Sequence, residues 1–208
     1  MKKILIEPHY LGCIEYFCLI QSSHSVLFEI HDNFQKQTFR NRAYLLGANK
    51  VVPLSMPLKY GNKTAFKDVK VDYSQRWIKD HWGAVYSSYG KAPFFEFFAN
   101  DFKKVWDHKS EFLLDINIKF LTLCFKLLKL DVEIDFTNSF EKDHEEGVED
   151  FRSIIHPKIA FADRNIYRPS AYSQLFGDSF VPNLSIIDLI MCAGPQADEV
   201  LSSSYVGN

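Results

Sequence analysis

The stretch Lys3-Ile4-Leu5-Ile6-Glu7-Pro8-His9-Tyr10-Leu11-Gly12-Cys13-Ile14-Glu15-Tyr16-Phe17-Cys18-Leu19-Ile20-Gln21 decides the fold. Residues 3–6 form a short apolar strand, which Pro8 ends because proline cannot donate to a sheet ladder. Across residues 11–21 the apolar positions Leu11, Ile14, Phe17 and Cys18 recur mostly at intervals of three and four, the period of an amphipathic helix. Residues 22–25 read as a turn and residues 26–30 as a second strand. Strand, helix and strand within about thirty residues make a β-α-β unit with a parallel pair and a right-handed crossover. The expected class is α/β.

Working outward, residues 42–46 and 51–58 flank the turn Gly47-Ala48-Asn49-Lys50 and read as a hairpin, which Pro53 and Pro57 push to a sheet edge. Residues 69–73 alternate as a further strand. A helix over residues 75–89 puts Ile78, Trp82, Val85, Tyr86 and Tyr89 on one face, with Gly90 at its end. Pro93 opens the next, residues 94–108. Residues 112–130 are apolar nearly all round and read as the central helix. Residues 132–136 alternate like a strand, and the acidic residues 141–150 read as a solvated helix face or loop. Residues 154–180 are irregular. Ser185 and Asp188 have the spacing of a capping box opening a last helical region, which Gly194-Pro195 interrupts. The expectation is a single domain over residues 1–208, with a mixed sheet, an edge hairpin and several packed helices.

The chain has 208 residues, a formal charge of -2 and a sequence pI near 6.4. Such a balance gives no global field for nucleic acid or an anionic membrane, so any anion must be held locally. The 19 Phe, 10 Tyr and 3 Trp fall mostly at helix or strand spacing and read as core. The cysteines at 13, 18, 124 and 192 form neither a zinc pattern nor a disulfide framework, and read as buried thiols. Glu7, Pro8 and His9 break the first apolar run too early for a signal peptide, and the charges within residues 112–130 argue against a membrane span. A cytoplasmic location is expected, which leaves the glycosylation pattern Asn62-Lys63-Thr64 unused.

Between Phe34 and Pro57 a basic, amide-rich knot runs into the hairpin. Lys36, Arg40 and Arg42 place three cations within seven residues, interleaved with Gln35, Gln37 and Asn41, a set suited to phosphate or carboxylate. The competing reading is a solvated edge with surface ion pairs. His9 follows the first strand, where open α/β sheets place their ligands, and reads as a general base, a phosphate partner or a turn histidine bonded to backbone. Cys13 near the helix start is a weaker nucleophile candidate. Glu29 and His31 share a strand face as an acid/base pair, a metal pair or a strand-end ion pair. His81 is a ligand contact or a boundary residue of its helix. Glu96 is a carboxylate favoured by a helix N-terminus, and the capping box accounts for Asp188. No metal set is complete. Walker A, Gly-x-Gly-x-x-Gly, nucleophile-elbow and His-Glu-x-x-His patterns are all missing.

His9-Tyr10-Leu11 with Ile14-Glu15-Tyr16-Phe17, Lys36-Gln37 with Arg40-Asn41-Arg42, Leu54 with Pro57, His81-Trp82, Pro93-Phe94-Phe95-Glu96 and residues 183–195 together resemble the WbqC-like family, in order and over most of the chain. Its first motif commonly reads Gln-Pro-x-Tyr-Leu-Pro-Trp-x-x-Tyr-Phe, so Glu7-Pro8-His9-Tyr10-Leu11-Gly12-Cys13 resembles a variant branch. The resemblance implies a bacterial surface-polysaccharide or O-antigen context and a transferase moving an acyl or aminoacyl group to a sugar. Its partner would be a phosphorylated small molecule or an activated sugar or acyl donor, with no cofactor identified. Two other readings stand beside it. The strand, His-bearing loop, helix and strand faintly resemble HIGH-type nucleotidylyltransferases, and the Phe-rich helices suit a noncatalytic scaffold of the same machinery.

Overall fold

The computed structural model describes residues 2–143 and 147–207. Its spine is a four-stranded sheet of β1 (Lys3–Ile6), β2 (Ser25–Phe28), β7 (Glu133–Phe136) and β8 (Val148–Asp150), in the order β7-β2-β1-β8. Every pairing in it is parallel, with Ile4 opposite Val26 and Ile6 opposite Phe28. Ile4, Leu5 and Ile6 are completely buried, as a central parallel strand covered on both faces must be. The α/β class and the β-α-β start are as the sequence predicts. The antiparallel pairings lie in separate small sheets: the hairpin β3 (Arg42–Leu46) with β4 (Val51–Ser55), and β5 (Leu58–Lys59) with β6 (Lys70–Val71). The predicted strand 51–58 is therefore broken at Met56-Pro57, and the predicted strand 69–73 shrinks to two residues.

Helix α1 (Ile14–Gln21) begins three residues later than its apolar period indicates. Leu11 takes a left-handed φ of 46°, and a Cβ on Gly12 would come within 2.6 Å of the Tyr16 ring. The chain can turn there only because residue 12 is small. Distant segments then complete the helix start: Ile14 N–H donates to Leu184 O at 2.9 Å, and Glu15 N–H to Asn183 Oδ1 at 2.9 Å.

Helices α2 (Trp77–Tyr89) and α3 (Phe95–Asp107) follow the predicted spans closely. Helix α4 (Leu113–Leu128) buries one face through Leu113, Ile116, Asn117, Phe120, Leu121, Cys124, Phe125 and Leu128. It flanks the core and is not the central helix that its composition indicated. That position belongs to α5 (Ile186–Ala193), of which all eight residues are buried. Each of its larger apolar side chains contributes on the order of 1.5–3 kcal/mol by leaving water. Helix α6 (Ala197–Ser204) closes the chain against α1.

The acidic run 141–150 was expected to be a helix face or loop. Residues 148–150 instead pair with β1, and residues 144–146 lie outside the described residues. At this edge the backbone pairing, and not an apolar pattern, makes the strand, since Glu149 and Asp150 remain exposed. The capping box at Ser185 is half realised. Its side chain accepts from Ile187 N–H, but its own N–H goes to Tyr44 O, and Asp188 turns elsewhere.

One buried ion pair ties the irregular segment 151–183 to α1. Arg164 donates Nε to Glu15 Oε1 at 2.7 Å and Nη2 to Oε2 at 2.5 Å, while Asn183 adds a bond at 3.0 Å. The Arg164 and Glu15 side chains are 5% and 0% exposed, so neither charge is left to water. Arg164→Ala should therefore cost about 3–5 kcal/mol, read as a fall in the urea midpoint at unchanged slope. The double replacement Glu15→Gln with Arg164→Met should recover part of that loss. A single-variant loss within error would show that the pair is not buried in solution.

Candidate functional site at the carboxyl ends of the parallel strands

Because all four strands of the main sheet are parallel, their carboxyl ends lie along one border. The chain leaves β1 for β2 on one side and reaches β8, on the other side, only later. This divergence is the topological switch point where open α/β sheets hold ligands. Four chain segments issue there: Glu7-Pro8-His9-Tyr10 after β1, Glu29 after β2, Thr137 after β7 and Phe151-Arg152-Ser153 after β8.

Glu7 and His9 occupy the divergence itself, 2% and 0% exposed. Glu7 Oε2 accepts the Ser153 N–H at 3.0 Å, and Oε1 lies 3.5 Å from His9 Nε2, a long hydrogen bond. The imidazole stacks on Tyr16 with centroids 4.2 Å apart and packs against Phe39. With Nε2 turned toward a carboxylate, the neutral ring carries its proton there and leaves Nδ1 with a lone pair. Nδ1 has no hydrogen-bond partner among the described residues.

Arg40 comes in from the basic knot and is wholly buried. Nη2 reaches Asp32 Oδ2 at 2.8 Å, Nη1 donates to Asn33 O at 3.0 Å, and the guanidinium lies 5.6 Å from the Phe66 ring centroid. Asn117 of α4 donates to both Pro8 O and Arg40 O, at 3.2 and 2.8 Å, which locks the His9 and Arg40 segments together. Arg40 Nε and Asn117 Oδ1 are buried without partners, like His9 Nδ1. An unpaired buried polar atom costs about 1–3 kcal/mol unless a ligand or water answers it. Three such atoms around two locked segments mark a polar site inside the fold.

The other predicted residues fall around this centre. Glu29 is completely buried, and its Oε1 accepts from His31 N–H at 2.7 Å, Asp32 N–H at 3.2 Å and the Thr137 hydroxyl at 3.0 Å. Its Oε2 pairs with Arg152 Nη1 at 3.2 Å, so it fastens three strand ends together. It binds the main chain of His31. The His31 side chain instead lines a cavity of about 580 Å³ with Asp115, Lys119, Thr137 and Asn138, along the ends of β2 and β7. Lys36 is exposed, with Nζ 5.5 Å from the Tyr60 ring centroid, and Gln37 is exposed at a left-handed φ of 60°. Asn41 donates to Met56 O at 2.9 Å, and Arg42 opens β3 half-buried. Arg40 precedes that strand, so the two arginines do not share a strand face; one is wholly buried and the other half-buried.

His81 is buried 2.8 Å from the Tyr10 hydroxyl through Nδ1, and the same hydroxyl accepts the Trp106 indole N–H at 2.8 Å. Cys13 is buried beyond use as a nucleophile, since burial first and Glu15 next push its thiol up to about 12. Glu96 stays exposed in the first turn of α3. Asp188 is buried, with its carboxylate on the Tyr172 hydroxyl and on Gln174 Nε2 at 2.9 Å. Among the described residues no group of three or more His, Cys, Asp or Glu side chains is placed to hold a metal ion.

The WbqC-like protein family model matches residues 7–156 and 155–200. The chain belongs to that family. It has no significant match among curated proteins or among solved structures. The family match spans every segment that meets at the switch point, from Glu7 to Ser153. Reading the sequence of this WbqC-like chain missed Glu7, Tyr10, Trp106, Asn117 and Arg152. Glu7 alone carried a local signal, a carboxylate between a strand end and Pro8-His9.

Titration follows from the burial. Burial opposes the Glu7 charge, but the His9 hydrogen bond, the His9 and Arg40 charges and the Ser153 amide outweigh it and hold the carboxyl at about 2. Burial dominates at both imidazoles, lowering His9 and holding His81 at about 4 against the Ser55 main chain and Asp80. Below pH ~6.5 the unfolded chain takes up protons that these rings refuse, so stability falls with pH. Glu7 behaves alike lower down, its contribution being present above pH ~4.5 and lost on approach to 2. Urea midpoints should be level between pH ~7 and ~8 and decline below that in two limbs. His81→Gln should flatten the limb between 6.5 and 4, and Glu7→Gln the limb below it. Profiles parallel to the wild type would remove these groups from the account.

Proposed function

We propose that this WbqC-like chain is a transferase of bacterial surface-glycan assembly, passing an acyl or aminoacyl group from a phosphate-bearing donor to a sugar. One observation carries the reading: a buried imidazole at the switch point, oriented by Glu7, has an unshared Nδ1 lone pair. In such a transfer the sugar hydroxyl or amine attacks the donor carbonyl and its proton moves to His9 Nδ1. The bond from the carbonyl to the leaving group then breaks, and the imidazolium returns the proton to that group. Glu7 stabilises the transient cation, as a carboxylate behind a catalytic histidine does. Arg40 Nε, buried and unpaired, is a donor suited to developing negative charge. Lys36, exposed, and Arg42, half-buried at the start of β3, suit the donor's phosphate.

A noncatalytic scaffold draws on a different feature, the exposed rings of Tyr86, beside Phe95, and of Phe97, beside Phe94 and Phe98, at the α2–α3 corner. Deletion and complementation in the native host separate the two. The surface glycan, measured by mass spectrometry, should lose an acyl or aminoacyl increment on deletion. Wild-type protein should restore it, and His9→Gln at equal abundance should not. Restoration by His9→Gln would favour the scaffold, and a glycan unchanged by deletion would end the transfer reading.

A further inference from the structure

A second cavity, of about 410 Å³, opens between α2 and α3, away from the basic knot. Its walls carry ring surface from Tyr73 and Trp82, with the buried Trp106 behind them. Around them stand Arg76, Lys79, Lys103 and Lys109, facing one carboxylate, Asp107. Lys103 is committed to Asp107 at 2.6 Å. The side chains of Arg76, Lys79 and Lys109 make no ion pair or hydrogen bond with the described residues. A chain of net charge -2 therefore gathers unneutralised positive charge at the mouth of an aromatic cavity.

The rings are fixed before any ligand arrives. Trp106 is fully buried and donates to Tyr10, Tyr73 donates to Ser110 O at 2.6 Å, and Trp82 lies between Phe95 and Trp106. Rigid aromatic faces take a planar ring by stacking, and guanidinium and ammonium groups at the rim take phosphate oxygens. An aliphatic anion would leave the rings unused, and a neutral aromatic would leave the cations unused. We propose that this cavity binds a nucleoside diphosphate moiety, the base against Trp82 and Tyr73 and the phosphates on Arg76, Lys79 and Lys109. Trp106 joins the cavity to Tyr10, the residue after His9, so the moiety fits the nucleotide of an activated sugar acceptor, the donor's own phosphate being left to Lys36 and Arg42. The inference rests on the transfer reading for that role alone.

The test is direct binding to the full chain, by tryptophan fluorescence and calorimetry, of ADP, CDP, GDP and UDP beside inorganic pyrophosphate and the free nucleosides. At least one nucleoside diphosphate should bind saturably, about tenfold or more tighter than pyrophosphate or its nucleoside. Binding should weaken with added salt. Arg76→Glu with Lys79→Glu, both exposed, should keep the thermal midpoint and lose affinity by about tenfold or more, and Trp82→Leu should lose the base preference. No binding by any of the four, equal binding of pyrophosphate, or wild-type affinity in the Arg76/Lys79 variant would overturn the proposal. Binding is also read in His9→Gln, where it should persist. Absent binding with a positive glycan result sinks this site and spares the transfer reading, while nucleotide binding with an unchanged glycan does the reverse.

Discussion

Three carboxylates within the first thirty residues, Glu7, Glu15 and Glu29, are removed from water, and the fold depends on answering them. A buried charge without a partner costs several kcal/mol, so each needs a donor held in place. All three find donors in one stretch of chain more than a hundred residues away: Ser153 for Glu7, Arg164 for Glu15 and Arg152 for Glu29. Residues 151–183 contain little regular structure, yet these bonds pin them across the carboxyl ends of the sheet. The same demand accounts for β8. Its side chains gain little by burial, but its pairing with β1 delivers Arg152 and Ser153 to the point where Glu29 and Glu7 wait.

Local periodicity explains which elements were legible. Strand β1, helices α2 and α3 and the hairpin carry their signals in contiguous residues and form close to where they read, although the hairpin makes a sheet of its own and its second strand stops at Ser55. Helix α4 misled because composition was taken for burial. Its Lys119, Thr122 and Lys126 lie off the buried face, so its apolar residues form a broad stripe and not a full circumference. Helix α5 is short, and an eight-residue apolar run cannot announce that it is central until the layers around it are known. The start of α1 depends on Asn183 and Leu184, which no window of sequence near residue 14 contains.

The site shows the same division. His9 was legible because a proline stops the ladder just before it and parallel sheets hold ligands at such ends. The role of Glu7 was not, since a carboxylate beside a strand reads as solvent-facing until a distant amide takes it inside. The cations of the knot read as one phosphate-holding set or as a solvated edge, and charge alone does not say which side chain turns inward. Arg40 turns inward because Asp32, Asn33 O and the Phe66 ring provide for it there, whereas Lys36 and Arg42 have no such set.

The His9-Tyr10 dipeptide then has a structural logic of its own. The His9 ring packs with Tyr16, Phe39 and Glu7, whereas the Tyr10 ring packs with Phe120 and bonds to His81 and Trp106. Their common backbone is fixed by Tyr10 N–H to Phe39 O at 2.8 Å and by Asn117 on Pro8 O. One short segment thus anchors the buried imidazole in one environment and the wall of the α2–α3 cavity in another. Moving either ring would strain the other through a main chain held on both sides. The setting of the His9 ring and the shape of that cavity are consequently properties of one rigid junction, and the junction sits where the sheet's connections diverge.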